Sequence, residues 1–183
     1  GSDCTRRNEP ARSWDGSYSI RIRDNSGTAS AMTSPSYDLS EFSTVDIEFY
    51  FYPNSMENGE DFWVRYNGGS GWTTVATYAS GTSFNNNTFY TATVTVPGGD
   101  ANAQFRFQCD ASANADRIYI DQVTITGNCS ALPEVGGQIT STIKELKTPV
   151  HHAALDQITL QDPAEGDVIV YTNPAQDELS LNI

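Results

Sequence analysis

The stretch VDIEFYFYP (45–53) decides the fold class. At the period of two that a strand imposes, Val45, Ile47, Phe49 and Phe51 share one face, and Asp46, Glu48, Tyr50 and Tyr52 share the other. Working outward, the same kind of signal recurs in SYSIRIRD (17–24), DFWVRYN (61–67), WTTVATY (72–78), FYTATVTV (89–96), AQFRFQC (103–109) and RIYIDQVTIT (117–126), with a short strand at TASAMT (28–33). Turn clusters such as DNSG, NSMENG, NGGSG, FNNN, PGGD and DASANAD separate them, and their Gly, Asn, Asp and Ser tolerate turn geometry. No helical period of useful length appears before residue 130. About eight strands at this spacing predict an all-β, antiparallel jelly-roll β-sandwich over residues 4–129.

The 183 residues carry a net charge of -13, with only ten Lys and Arg. That balance opposes non-specific attraction to nucleic acid or to an anionic membrane surface, so neither is expected as a partner. No segment approaches the roughly 20 apolar residues that a membrane-spanning helix needs. Cys4, Cys109 and Cys129 have no metal-ligand spacing. Cys4 and Cys129 stand at the two ends of the aromatic-rich region, where one disulfide would staple its first and last segments. Cys109 falls on an inward strand position and reads as a buried thiol.

Composition changes after Cys129. No aromatic residue occurs between Tyr119 and Tyr171, and Pro, Gly, Thr, Asp and Glu dominate. Residues 130–166 therefore read as a linker, with one helical hint at TSTIKELK (140–147) that is too short to stand alone. The final stretch, DVIVYTNPAQDELSLNI (167–183), resembles the opening of a type IX secretion C-terminal sorting domain of Bacteroidetes. Tyr171, Asn173, Pro174, Leu179, Leu181 and Ile183 match that pattern, and Thr172 departs from the usual Pro. The resemblance implies a truncated sorting domain, contact with the type IX machinery, and a secreted or cell-surface location reached through the outer membrane.

Common catalytic constellations are missing. The two histidines, His151 and His152, lie in the linker, which leaves no base for a Ser-His-Asp or Cys-His arrangement in the aromatic-rich domain. Neither a phosphate-cradling glycine loop nor a dinucleotide fingerprint is present. A pair of carboxylates, with Asp46 and Glu48 on one strand face, is the remaining route, as in glycoside hydrolysis. Position 44 is Thr where the comparable jelly-roll glycosidase motif has its first Glu, so an enzyme is not expected.

The outward positions are more informative. In 17–24, Ile20 and Ile22 point in and Arg21 and Arg23 point out; in 61–67, Phe62, Val64 and Tyr66 oppose Trp63 and Arg65; in 103–109, Phe105 and Phe107 oppose Gln104, Arg106 and Gln108. The outward set is thus Trp63, Arg65, Tyr50, Tyr52, Arg21, Arg23, Arg106 and Glu48, with two glutamines. Aromatic rings stack on the apolar face of a sugar, and guanidinium, amide and carboxylate groups bond its hydroxyls or clamp a carboxylate or sulfate. The competing reading is a solvated face laced with cross-strand ion pairs, plus aromatics packed under a loop.

Two aspartates read as hard-cation ligands. Asp24 ends a strand, and Asp121 stands where alternation slips between Ile118 and Ile120 and then Val123 and Ile125, as at a bulge. A carboxylate beside free backbone carbonyls suits a structural calcium ion, with Asp61 and Asp110 as further candidates; turn capping or pairing with arginine is the alternative.

Residues 4–129 also resemble MAM-like and carbohydrate-binding jelly rolls of secreted Bacteroidetes proteins, in which a late strand carries Tyr-Ile-Asp followed by Val, here Tyr119, Ile120, Asp121 and Val123. The resemblance implies a non-catalytic accessory module, joined covalently to a polysaccharide-degrading domain outside these residues and buttressed by calcium, and it strengthens Asp121 as a ligand. The expected partner is a polysaccharide, neutral or anionic, held on an aromatic and Arg-bearing sheet face. The alternative is a structural or protein-interaction module of a secreted peptidase or adhesin.

Overall fold

The computed structural model describes residues 3–129 and 139–146. Ten strands form: β1 (Cys4–Asn8), β2 (Tyr18–Arg23), β3 (Ala31–Thr33), β4 (Thr44–Asn54), β5 (Asp61–Asn67), β6 (Thr73–Ala79), β7 (Phe89–Pro97), β8 (Gln104–Asp110), β9 (Arg117–Asn128) and β10 (Thr140–Leu146). They make a six-stranded sheet in the order β1-β2-β9-β4-β7-β10 and a four-stranded sheet in the order β3-β8-β5-β6. Strands β5 and β6 form the tip of a long hairpin ribbon whose further rungs are β4·β7, β3·β8 and β2·β9, all antiparallel. Successive rungs alternate between the two sheets, which is the roll of a jelly-roll sandwich.

The alternation read at 45–53 holds: Val45, Ile47 and Phe49 are 0% exposed and Phe51 is 1% exposed. From the six-stranded sheet, Phe49 meets Phe107 of the other sheet edge-on at 4.8 Å between ring centroids, and Phe51 meets Phe62 at 5.0 Å. These quadrupole-favoured ring pairs tie the sheets across the core. The bulge expected at Asp121-Gln122 is present. Glu48 pairs Thr124 but Tyr50 pairs Asp121, and Gln122 takes a φ of 43°. The extra residue keeps Ile120 and Ile125 on the same inner face.

Three expectations are corrected. Strand β1 was not anticipated: its CTRRN sequence lacks an apolar alternation, because an edge strand is held by backbone bonds to one neighbour and buries little. Residues 140–146, read as linker with a helical hint, form β10 on the free edge of β7, where β-branched Thr140, Thr142 and Ile143 suit a strand and Ile143 packs against the core. Cys4 and Cys129 are both free thiols, as is the fully buried Cys109. Through Ile22 and Ile118, Cys4 lies level with Pro53, whereas Cys129 follows Asn128, which pairs Thr44. The two thiols are therefore at opposite ends of β4, about 30 Å apart. The sorting-domain resemblance at 167–183, and residues 130–138 and 147–166 of the expected linker, lie outside the described residues.

Candidate functional site

The outer face of the four-stranded sheet is ordered in rows by the register of β5 with β8. Asp61 faces Asp110, Trp63 faces Gln108, Arg65 faces Arg106, and Asn67 faces Gln104. All eight point outward because Phe62, Val64, Phe105, Phe107 and Cys109 between them fill the core. Rows two residues apart stand about 7 Å from one another, so the face runs from carboxylates through an indole and amide to guanidinium groups.

Two arginines directly opposite one another repel, and the side chains resolve this by taking different partners. Arg106 lies 3.9 Å over the Trp72 ring and donates from Nε to the Thr33 hydroxyl at 2.9 Å. Arg65 donates to Gln108 Oε1 at 3.2 Å and to the Trp72 carbonyl at 3.4 Å. Gln108, 7% exposed, donates in turn to the Gly27 carbonyl at 3.3 Å. Burial, with Arg65 as its neighbour, lowers the Arg106 pKa without threatening its charge. Burial also raises the Asp61 pKa, opposed by a hydrogen bond from Trp63 and reinforced by the facing Asp110. The product is a partly buried plate of two indoles, two guanidinium groups and the Gln108 amide, in which contacts among Arg65, Arg106, Gln108 and Trp72 fix the orientation.

Trp72 was not foreseen as part of this plate. Counting by twos back from the buried Tyr78 and Ala76 directs Trp72 into the core. In the fold, Ala76 pairs Val64 but Thr74 pairs Arg65, so Val75 is an extra residue that inverts the alternation before it. Trp72 consequently stands on the outer side, under Arg106.

The other outward residues belong to the opposite face, on the six-stranded sheet. Tyr50 stacks beneath Trp14, and Tyr52 packs on Phe89 at 4.8 Å and edge-on to Tyr119 at 6.3 Å. Residues 9–15 lie over this cluster: Trp14 is 7% exposed, and Arg12 sits over the Tyr119 ring. These tyrosines therefore serve a second apolar layer. Glu48 is exposed farther along β4, while its neighbour Asp46 accepts bonds from Thr95 at 2.6 Å and Asn128 at 3.0 Å. Arg21 and Arg23 lie on the outer side of β2. Of the expected ligand-binding set, the fold brings together Trp63, Arg65 and Arg106 and separates them from Tyr50, Tyr52, Arg21, Arg23 and Glu48.

Of the four expected calcium ligands, Asp61 faces Asp110 and Asp24 lies beside them through Asn25, while Asp121 stands apart on the other sheet. Asp121, 2% exposed, accepts backbone N–H bonds from Trp14 at 2.7 Å and Asp15 at 3.2 Å on one oxygen and from Gln122 at 2.9 Å on the other. Both oxygens thus face donors, the wrong arrangement for a hard cation. Asp61 and Asp110 lie on the other sheet, where Asp110 accepts a bond from the Asn25 amide and Asp24 accepts the Asn25 N–H at 2.7 Å. Among the described residues no three His, Cys, Asp or Glu side chains are grouped to hold a metal.

No protein-family model matches this chain, and no curated protein matches it significantly. Among solved structures the chain is similar to TmCBM61 in complex with beta-1,4-galactotriose, at a TM-score of 0.48 and 8% identity, over 69% of this chain and 83% of that one. It is also similar to the N-terminal cellulose-binding domain of the Cellulomonas fimi beta-1,4-glucanase C, at a TM-score of 0.42 and 16% identity, over 62% of this chain and 79% of that one.

Proposed function

We propose that this protein is a non-catalytic carbohydrate-binding module that holds polysaccharide against the outer face of its four-stranded sheet. The observation that carries this reading is the plate of Trp63, Trp72, Arg65, Arg106 and Gln108, which sets indole rings beside guanidinium and amide hydrogen-bond donors. Sugars offer an apolar C–H face and vicinal hydroxyls, and such a plate meets both at once. Its two guanidinium groups favour a chain bearing carboxylate or sulfate groups, so an anionic polysaccharide is the preferred ligand. Tethered to a polysaccharide-degrading domain, the module would raise that domain's effective concentration at the polymer. Secretion through the outer membrane rests on the sorting-domain resemblance at 167–183.

Affinity electrophoresis in gels containing alginate, agar, carrageenan, fucoidan, laminarin or chitin tests the proposal. Retardation by at least one polymer is expected, with apparent affinity falling about 10-fold in Trp63→Ala and in Trp72→Ala, as the loss of one stacking contact implies. Migration unaffected by every polymer would overturn it and return the face to protein interaction.

A further inference from the structure

Arg21 stands outward on β2 between Thr5 of β1 and Tyr119 of β9, yet it is only 5% exposed. Its Nε and Nη2 are sealed from solvent and have no hydrogen-bond partner among the described residues. The nearby charges are mostly of its own sign. Arg23, two residues along the same face, pairs Arg117 across to β9, and Arg7 lies on the adjoining edge of β1. Burial lowers the Arg21 pKa, and Arg7 and Arg23 lower it further.

The carboxylates within reach place their hydrogen bonds elsewhere, although the Glu9 charge attracts Arg21 through space. Asp3 pairs with Arg23 at 3.2 Å and accepts the Ser26 hydroxyl at 2.8 Å. Glu9 pairs with Arg12 and accepts the Tyr119 hydroxyl at 3.0 Å. A chain of net charge -13 thus gathers Arg7, Arg21, Arg23 and Arg117 on three adjacent strands. Repulsion among them and the sealed nitrogens of Arg21 both oppose folding, and native proteins leave few buried donors unsatisfied.

An oxyanion seated among these arginines offsets their repulsion, since guanidinium groups donate paired bonds to carboxylate or sulfate oxygens. We propose that Arg7, Arg21, Arg23 and Arg117 form a second binding site, on the face opposite Trp63, for an oxyanion carried by an acidic polysaccharide. The oxyanion chemistry stands on the arginines; only the polysaccharide as carrier rests on the function proposed above. With sites on both faces, one domain bridges two stretches of polymer and binds by avidity.

The test is affinity electrophoresis of the full chain in gels containing dextran sulfate, polygalacturonate or neutral dextran. Retardation by at least one acidic polymer and none by neutral dextran is expected, with inorganic sulfate competing. The double variant Arg7→Gln/Arg117→Gln alters side chains at the surface and should weaken retardation about 10-fold, the scale of one lost charge-assisted contact. Arg21→Met should weaken it at least as much, with its thermal transition confirming a folded domain. Trp63→Ala/Trp72→Ala, which removes the first face and the avidity, should keep a weaker retardation that inorganic sulfate still competes, which separates this site from the first. Retardation by neither acidic polymer together with no thermal shift in inorganic sulfate, or retardation undiminished in the Arg7/Arg117 variant, would overturn the second site. Loss in the Trp63/Trp72 variant alone would also overturn it and assign the anion to the first face. A rise in melting temperature with inorganic sulfate, absent from the Arg7/Arg117 variant, without retardation by either polymer would keep the oxyanion site and exclude the polysaccharide as its carrier.

Discussion

The Trp14 indole lies 5.0 Å from the Tyr50 ring with 16° between their planes, and this stack converts an outward tyrosine into the floor of a second apolar layer. Phe89 closes the layer from the side, edge-on to Trp14 at 5.6 Å. Trp14→Ala should therefore cost about 3–5 kcal/mol, the range for emptying a buried aromatic site. Urea denaturation would measure the loss. Polymer retardation below the transition should be unchanged, and a variant that lost affinity while keeping its stability would place Trp14 in the ligand site instead.

Asp121 anchors the same loop and should make stability depend on pH. Burial raises its pKa to about 6 against the three backbone N–H bonds it accepts, compared with about 3.9 in an unfolded chain. The folded state therefore holds this proton more tightly than the unfolded one. The resulting stabilisation is fully present below about pH 4 and is lost as pH rises through 6, a change of about 2–3 kcal/mol. The stability difference between wild type and Asp121→Asn should be larger at pH 4 than at pH 7 by that amount. Denaturation at both pH values would reveal it, and a difference independent of pH would count against a proton on Asp121.

The thiols should be distinguishable by alkylation without any reductant. Cys129 is exposed and should react first, and Cys4, half-buried at the start of β1, more slowly. Cys109 is 0% exposed, and burial, helped by Glu60, Asp116 and Asp110, pushes its pKa up to about 12, so it should react only on unfolding. Mass spectrometry should find three alkylated sites after denaturation, and reductant should leave the melting temperature unchanged. A lower melting temperature in reductant would indicate a disulfide.

Chelation is expected to have little effect. Because the Asp121 oxygens accept backbone N–H groups and Asp61 and Asp110 lie on the other sheet, EDTA should leave the melting temperature within about 1 °C of the untreated value. A drop of several degrees, restored by calcium, would mean that a native-state cation site exists.

A period-two pattern was enough to place the eight strands β2 to β9 and to sort their interior residues except at the start of β6, because a core-facing side chain must be apolar at every second position. It also located the bulge at Asp121-Gln122, since one extra residue is the only way to keep Ile120 and Ile125 on the same side. The edge strands β1 and β10 escaped this reading. Their pairing is carried by backbone groups that every sequence supplies, leaving little for composition to record.

Alternation in one strand separates inside from outside, but it does not say which outside. In a jelly roll successive rungs of the ribbon cross between sheets, so Tyr50 on β4 and Trp63 on β5, thirteen positions apart along the chain, face opposite ways. The residue types of the candidate site were thus legible in the sequence. Their division into a Trp63–Arg65–Arg106 plate and a separate Arg7–Arg21–Arg23–Arg117 patch was decided by strand order, and the withdrawal of Tyr50 by a loop with no periodic signal. Side-chain chemistry is a local property of sequence, whereas the company a side chain keeps depends on contacts between residues far apart in the chain, and those exist only once the sheets have closed.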